Sequence, residues 1–289
     1  MTEPPPVRPP WGPIGLLISG MVSVQVGSAL AATLFRQVGP SGAAMLRLVI
    51  GAAVMLLFCR PRVRGYTRAD WWAIAAFGTS LGCMNLLFYQ ALDRLPLGVA
   101  VTIEVLGPLA LSVWASRRLI SVLWATLALA GVALLGSAGF DRLPWDGVAL
   151  ALGAGAMWAA YILASARVGG RFPKVDGLAL AMAITALISV PFGVVGGGTA
   201  LLRPGVLLLG AGVAVLSSVL PYSLELVALR RMPAATFAVL MSVEPAVAAG
   251  AGWLVLRQRL SWWEIAGMVL VMAASVGAVR VAPPAPAPA

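Results

Sequence analysis

Long apolar runs alternate with short charged or turn-rich segments along most of the 289-residue chain. Each run is about as long as the 20-residue helix that crosses the hydrocarbon core of a bilayer. The runs lack the alternation of a barrel strand, and backbone groups in lipid must be hydrogen-bonded within the protein. The pattern predicts an all-α integral membrane protein with ten transmembrane helices, at residues 12–34, 41–59, 71–92, 97–116, 119–139, 147–166, 177–196, 205–229, 234–256 and 261–280.

The composition agrees with this prediction. Apolar residues make up 61% of the chain and charged residues 10%, whereas soluble domains have roughly 45–50% and 25%. The net charge of +10 comes from basic residues in short clusters between apolar runs and not on one face. That distribution excludes a nucleic-acid-binding protein and is typical of a membrane protein whose loops fix its orientation.

The Lys and Arg residues also predict which way the chain is inserted. Ten crossings place both termini on one side, together with 13 of the 20 basic residues; 6 lie on the other side and Arg47 lies within a span. Because cytoplasmic loops are enriched in Lys and Arg, we expect a multi-pass protein of the bacterial inner membrane with both termini in the cytoplasm. Arg257 and Arg259 run against this trend.

An internal repeat divides the chain into two halves. The pattern A-L-x-R-x-P, which begins at Ala91, recurs at Ala228, and a mid-span proline follows in each copy, at Pro108 and Pro245. The copies are 137 residues and five spans apart, so the second must be inverted in the membrane, as in alternating-access transporters. We therefore predict two inverted five-helix repeats (5+5). The predicted domains are a disordered Pro-rich N-terminus at 1–11, repeats at 12–139 and 147–280, and a disordered Pro/Ala tail at 281–289.

Four ionisable residues lie within predicted spans: Arg47, Glu104, Glu225 and Glu244. A charge inside the bilayer costs at least about 2.5–3.5 kcal/mol, so each should face the bundle interior or a wet cavity. Arg47 and Glu104 lie at similar depths, roughly 9–10 Å from the outer ends of their helices. We expect them to meet as a pair, which could bind substrate or only join two helices.

Glu244 precedes Pro245 near the middle of its span, and Pro108 occupies the matching place in the first repeat. A mid-helix proline bends the helix and frees a carbonyl, so both prolines are predicted helix kinks at a central substrate site, although kinks also serve packing alone. Glu225 lies about one turn from the inner end of its span and is either an interfacial carboxylate beside arginines or a ligand for a substrate ammonium or a proton.

Uncharged polar residues complete the set of candidate ligands: Gln25, Asn85, Tyr161 and Tyr222. Tyr161 and Trp158 are three residues apart on one helix face. Nearby glycines permit close helix packing, so this face could serve packing and not substrate binding. Tyr89, near the outer interface, is expected to be an aromatic anchor.

Residues for catalysis are scarce. The chain has no His, two Cys and no Gly-rich phosphate loop, and its Ser and Cys residues have no base nearby in sequence. We expect no enzyme activity, no metal site and no cofactor.

Several segments resemble the drug/metabolite transporter superfamily, specifically its EamA-type proteins and, within them, the threonine/homoserine exporter family. They are Leu46-Arg47-Leu48, Gly82 to Tyr89, Leu95 to Ala100, Glu104 with Gly107-Pro108-Leu109, Ala151 to Trp158 with Tyr161, and Leu220 to Glu225 continuing through Arg231-Met232-Pro233 and Thr236-Phe237 to Met241 to Ala246. The resemblance implies ten helices in two inverted halves and export of small amino acids driven by the proton gradient. In place of the family's Leu-Gly-Glu turn, this chain has Leu256-Arg257-Gln258.

The residues and the resemblance together suggest a cavity between the halves that binds a zwitterion. Its carboxylate would meet Arg47 or amides near Pro108, and its ammonium would meet Glu244 or Glu225. The alternatives are another small metabolite or drug on the same fold, or a membrane scaffold or sensor that transports nothing. Predicted partners are the substrate, the lipid bilayer and protons; the sequence does not indicate an oligomeric state.

Overall fold

The computed structural model describes residues 11–116, 119–137, 144–169, 171–172, 176–229, 231–232 and 234–281. The predicted disordered segments therefore lie outside the described residues, apart from Trp11 and Val281 at their edges. Within the described part the secondary structure is helical throughout. The α-helices are α1 (Trp11–Cys59), α2 (Arg68–Leu92), α3 (Leu97–Glu104), α4 (Leu106–Ser116), α5 (Leu119–Ser137), α6 (Trp145–Gly169), α7 (Asp176–Gly197), α8 (Pro204–Ala214), α9 (Leu220–Leu229), α10 (Ala234–Met241), α11 (Glu244–Leu256) and α12 (Trp262–Val281).

Two short segments join some of these helices. A 3₁₀ helix, Gly198–Leu202, follows α7, and a π-helical turn, Val215–Val219, connects α8 to α9. Among the described residues, seven stretches are long and apolar enough to cross a membrane. The prediction of an all-α integral membrane protein is thereby confirmed at the level of helices that can span a bilayer.

Helix α1 contains the first two predicted spans. Its 49 residues would extend about 74 Å if straight, more than twice the thickness of the hydrocarbon core. Gly39 breaks the helix with φ 66° and ψ 168°, a conformation that glycine adopts without a Cβ penalty. Gly27 and Gly51, twelve residues to either side, contact the adjacent Ser217 and Ser218. The two limbs of α1 are therefore antiparallel. Only Gly39 is non-helical between them, whereas the sequence predicted a loop at 35–40.

The fourth predicted span is broken into α3 and α4 at Val105, and the ninth is broken into α10 and α11 at Ser242 and Val243. The break in the fourth span lies three residues before Pro108. Proline causes it, because its ring clashes with the carbonyl four residues earlier, here that of Glu104. Pro245 lies in the first turn of α11. A backbone N–H has no hydrogen-bond partner within the helix at that place, so its absence does not destabilise the helix. The two breaks at Val105 and Ser242 are 137 residues apart, the spacing of the sequence repeat.

The two ends of the bundle differ in packing. At the end we name the Leu97 end, the Leu97 amide donates to Gln258 Oε1 (3.0 Å) and Arg94 pairs with Asp146 (2.6 Å). One continuous core cluster near this end joins α1, α2, α3, α6, α8, α11 and α12. At the opposite Asp70 end, Arg171 pairs with Asp70 (3.3 Å), and the described residues form separate, smaller core clusters. Among the described residues, the largest core cluster thus lies toward the Leu97 end.

Candidate functional site

A cavity of about 100 Å³ lies where both limbs of α1 meet the broken helices. Five of the eight predicted ligands line it, and apolar side chains from α1, α2, α3 and α6 complete the wall. The lining residues are Val24, Gln25, Ser28, Arg47, Met84, Asn85, Phe88, Val101, Glu104, Trp158 and Glu244. Pockets for drug-sized ligands typically measure about 300–1,000 Å³, so this cavity suits a small solute.

The breaks in α3–α4 and α10–α11 place one carboxylate each at the cavity. Glu104 is the last residue of α3 and Glu244 is the first residue of α11. Both are buried, with 7% and 9% of their surface exposed. Each broken helix therefore carries a glutamate to the same internal space.

Glu244 is oriented by Gln25 from the first limb of α1. The Gln25 Nε2 donates to Glu244 Oε1 at 2.9 Å, and only 2% of the Gln25 surface is exposed. The second oxygen of the carboxylate, Glu244 Oε2, and the amide oxygen, Gln25 Oε1, are buried and have no hydrogen-bond partner. Two acceptor atoms at the cavity are thus unsatisfied in the protein alone.

Arg47 contributes the positive charge of the cavity and is held from two helices. Its Nη2 donates to the Ser217 carbonyl at 2.9 Å, its Nε lies 3.5 Å from Ser218 Oγ, and its Nη1 donates to Tyr89 OH at 3.3 Å. The guanidinium carbon also lies 5.7 Å from the Tyr89 ring centroid, within the range of a cation–π contact. Arg47 therefore links the second limb of α1 to α2 and to the π-helical turn.

The π-helical turn explains how a backbone carbonyl is available to Arg47. Pro221 has no N–H, so the carbonyl of Ser217, four residues earlier, loses its α-helical donor. The neighbouring Leu216 carbonyl accepts from Ser23 Oγ at 2.6 Å. Both freed carbonyls are thereby satisfied by side chains of α1, as buried polar groups require.

The expected pairing of Arg47 with Glu104 stays a prediction. Both side chains line the cavity, and Glu104 lies within electrostatic range of Arg47 and of Glu244. The π-helical turn and Tyr89 supply further partners to the guanidinium.

Two of the predicted ligands, Tyr161 and Glu225, are absent from the described lining of the cavity. Tyr161 packs on Phe77, with ring centroids 5.2 Å apart, in the cluster formed by α2, α6 and α7. Glu225 is partly buried against α1, where a Cβ on Gly20 would lie 3.7 Å from its Cγ. Tyr222 belongs to α9, but its side chain lies outside the described residues.

Other residues of the site were missed from the sequence. Ser217 and Ser218 are nearly fully buried and hold Arg47, and the signal for them was Pro221 inside the predicted span 205–229. Tyr89, expected as an interfacial anchor, has no exposed surface and contacts Arg47. Trp158, three residues from Tyr161, lines the cavity that Tyr161 does not reach.

The cavity lining combines carboxyl groups with a guanidinium. Glu104 and Glu244 supply two buried carboxyl groups, and Arg47 supplies one buried guanidinium. A buried charge without a partner is costly, and a cation or a bound proton would remove that cost. No group of three or more His, Cys, Asp or Glu side chains in the described ranges could hold a metal ion.

Comparison with known proteins gives the family. The EamA-like transporter family matches residues 145–280. Threonine/homoserine exporter RhtA of Salmonella typhimurium (strain LT2) is 42% identical over 271 residues, which are 93% of this chain and 92% of that protein. The protein of the same name from Escherichia coli (strain K12) is 41% identical over the same coverage.

A solved structure, described only as the crystal structure of a protein, superimposes with a TM-score of 0.64 over 93% of this chain and 97% of the other, at 19% identity. That likeness shows a shared fold. The identity to the two exporters extends over nearly the whole chain, and the family is one of transporters, so the prediction of a membrane transporter and not an enzyme is confirmed. The chain belongs to the EamA-like transporter family and, within it, to the RhtA-like proteins.

Proposed function

We propose that this protein exports small amino acids of the threonine and homoserine type across a bacterial inner membrane. The observation that carries the proposal is the small buried cavity that Arg47, Glu104 and Glu244 line with both signs of charge. A zwitterion of a few heavy atoms matches its size and its polarity. The relatives that are 41–42% identical to this chain over 271 residues are named as exporters of these amino acids.

The proposed topology has ten crossings in two inverted five-helix halves. In support, the two limbs of α1 form an antiparallel pair, and three crossings are each assembled from consecutive shorter helices: α3 with α4, α8 with α9, and α10 with α11. The matched breaks 137 residues apart favour two copies of one unit. The Arg distribution favours an orientation with the Leu97 end outside and both termini in the cytoplasm.

The substrate is proposed to bind between the halves as a zwitterion. Arg47, or amides freed near Pro108, would attract its carboxylate, and Glu244 or Glu225 would attract its ammonium. Asn85 and Gln25 line the same cavity and would shape the remaining contacts. Tyr161, from outside the described cavity wall, remains a predicted contributor, and so does Tyr222.

Alternating access would expose this cavity first to one side and then to the other. The outer limbs α3 and α11 pack closely through Gly98, whose added Cβ would lie 2.9 Å from the Ala249 Cβ. The inner limbs α4 and α10 pack against different neighbours in separate clusters. This arrangement favours a state closed at the Leu97 end. Export would be driven by protons that move inward while the two ends open and close in alternation.

Counterflow of labelled threonine and homoserine into proteoliposomes that contain the purified protein tests this function. We expect accumulation of label only when unlabelled amino acid is present inside the vesicles. A panel of larger drugs and unrelated metabolites serves as the comparison, since the cavity volume disfavours them. Accumulation of a different solute, with none of threonine or homoserine, would replace this proposal with another substrate on the same fold.

A further inference from the structure

Two residues that line the cavity, Gln25 and Glu244, each have one oxygen atom without a hydrogen-bond partner. Gln25 Oε1 and Glu244 Oε2 are buried, make no hydrogen bond and belong to residues that line the cavity. Both residues are more than nine-tenths buried. Buried polar atoms in native proteins are nearly always satisfied, so the pair points to a guest.

The hydrogen bond between the two side chains fixes which atoms are left over. Gln25 Nε2 donates to Glu244 Oε1 at 2.9 Å, because the opposite orientation of the amide would bring two oxygens together. What remains is one amide oxygen and one carboxylate oxygen. Both are acceptors, and Glu244 carries a negative charge when it is ionised.

The chemistry of these two acceptors selects the guest. A primary ammonium has several N–H donors and a positive charge, so one group can satisfy both oxygens and neutralise the carboxylate. A hydroxyl has one donor and no charge. The adjoining Asn85 is also an acceptor here, since its Nδ2 already donates to the Leu81 carbonyl at 2.9 Å.

We propose that Gln25 Oε1 and Glu244 Oε2 form the subsite for the substrate's ammonium group, with Gln25 as a specificity-determining residue. This inference rests on the proposed function and deepens it. It assigns the ammonium to Glu244 and not to Glu225, which lies beside Gly20 and is absent from the cavity wall. It also places the ammonium between the first limb of α1 and the start of α11, which belong to different halves of the proposed repeat.

Two threonine analogues separate the ammonium from the carboxylate. The first, 1-aminopropan-2-ol, keeps the ammonium and lacks the carboxylate; the second, 2,3-dihydroxybutanoate, has a hydroxyl in place of the ammonium. In counterflow of labelled threonine by the unaltered protein, we expect the amine to compete. The hydroxy acid should compete at least about a hundredfold less well than threonine, since it leaves buried acceptors unpaired.

Variants of Gln25 test its own part in the subsite. Gln25→Met removes the acceptor and should weaken competition by threonine and the amine about tenfold, with no change for the hydroxy acid. The matched control is Gln37→Met, the same change on an exposed residue of the same limb.

Equal competition by the hydroxy acid would overturn the subsite, and so would unchanged affinity for the amine in Gln25→Met. A requirement of threonine transport for Na⁺, bound in place of the ammonium, would also overturn it. If the unaltered protein transports no threonine, the proposed function fails. The subsite is then decided by thermal unfolding of the detergent-purified protein. Stabilisation by the amine that is lost in Gln25→Met supports it, and no stabilisation of the unaltered protein contradicts it.

Discussion

Individual residues in this protein gain their roles from partners that are distant in sequence. Gln25 and Glu244 are 219 positions apart and share a hydrogen bond, and Arg47 is held by Ser217, 170 positions away. None of these contacts follows from local spacing. The ionisable residues were nevertheless identifiable from the sequence, because a charge in an apolar span must face a polar interior.

Glu244→Gln is expected to abolish or uncouple transport while the protein still inserts in the membrane. The change keeps the size of the side chain and removes the negative charge at the cavity, where an ammonium or a proton would bind. Counterflow and gradient-driven efflux from proteoliposomes measure the effect, and the yield of membrane-inserted protein is the control. Gradient-driven transport at the unaltered rate would remove Glu244 from the mechanism.

Gly155→Ala is expected to destabilise the protein by about 1–3 kcal/mol, as overpacking does. A Cβ at this position would lie 2.5 Å from the Glu104 carbonyl oxygen, and the backbone of Gly107 packs on the same spot from α4. Thermal unfolding in detergent measures the change. The matched control on the same helix is Gly153→Ala, whose Cβ would meet only the flexible tip of Leu87 at 3.3 Å and should be tolerated.

At the scale of helices, irregular segments position the site. The break at Val105, the break at Ser242 and the π-helical turn all lie where a proline follows or begins a helix. The sequence indicated that Pro108 and Pro245 disturb their helices but not the direction in which the freed groups point. Those directions depend on the neighbours, for example the close approach of Gly155 to the Glu104 carbonyl.

Pro221→Ala is expected to lower the transport rate severalfold while the fold is retained. The added N–H would compete with Arg47 for the Ser217 carbonyl, and the α-helix would become favourable in place of the π-helical turn. Arg47 would then lose one charge-assisted hydrogen bond, worth about 1.5–3 kcal/mol. Initial rates of counterflow measure the loss.

Pro204→Ala provides the control for this variant. Pro204 begins α8, where an N–H has no partner within the helix, so the change should leave transport unaltered. Equal rates for the two variants would mean that the π-helical turn has no role in placing Arg47.

At the scale of the whole molecule, the proposed orientation can be tested by labelling. Cys59 and Cys83 are first replaced by Ala, and single cysteines are then introduced as Asp93→Cys at the Leu97 end and Val63→Cys near the Asp70 end, both at exposed positions. A membrane-impermeant maleimide applied to intact cells should label Asp93→Cys alone. Permeabilised cells should label both variants, and the reverse pattern in intact cells would invert the proposed topology.

The sequence by itself determined that the protein is a helical membrane protein, since runs of about 20 apolar residues have few other stable solutions. It also determined which charged residues, among them Arg47, Glu104 and Glu244, had to be internal. The tertiary structure alone decided that Arg47 contacts Ser217 and Tyr89, and that Gln25 contacts Glu244. The physical reason is that insertion in lipid depends on local composition, whereas hydrogen bonding depends on which helices meet.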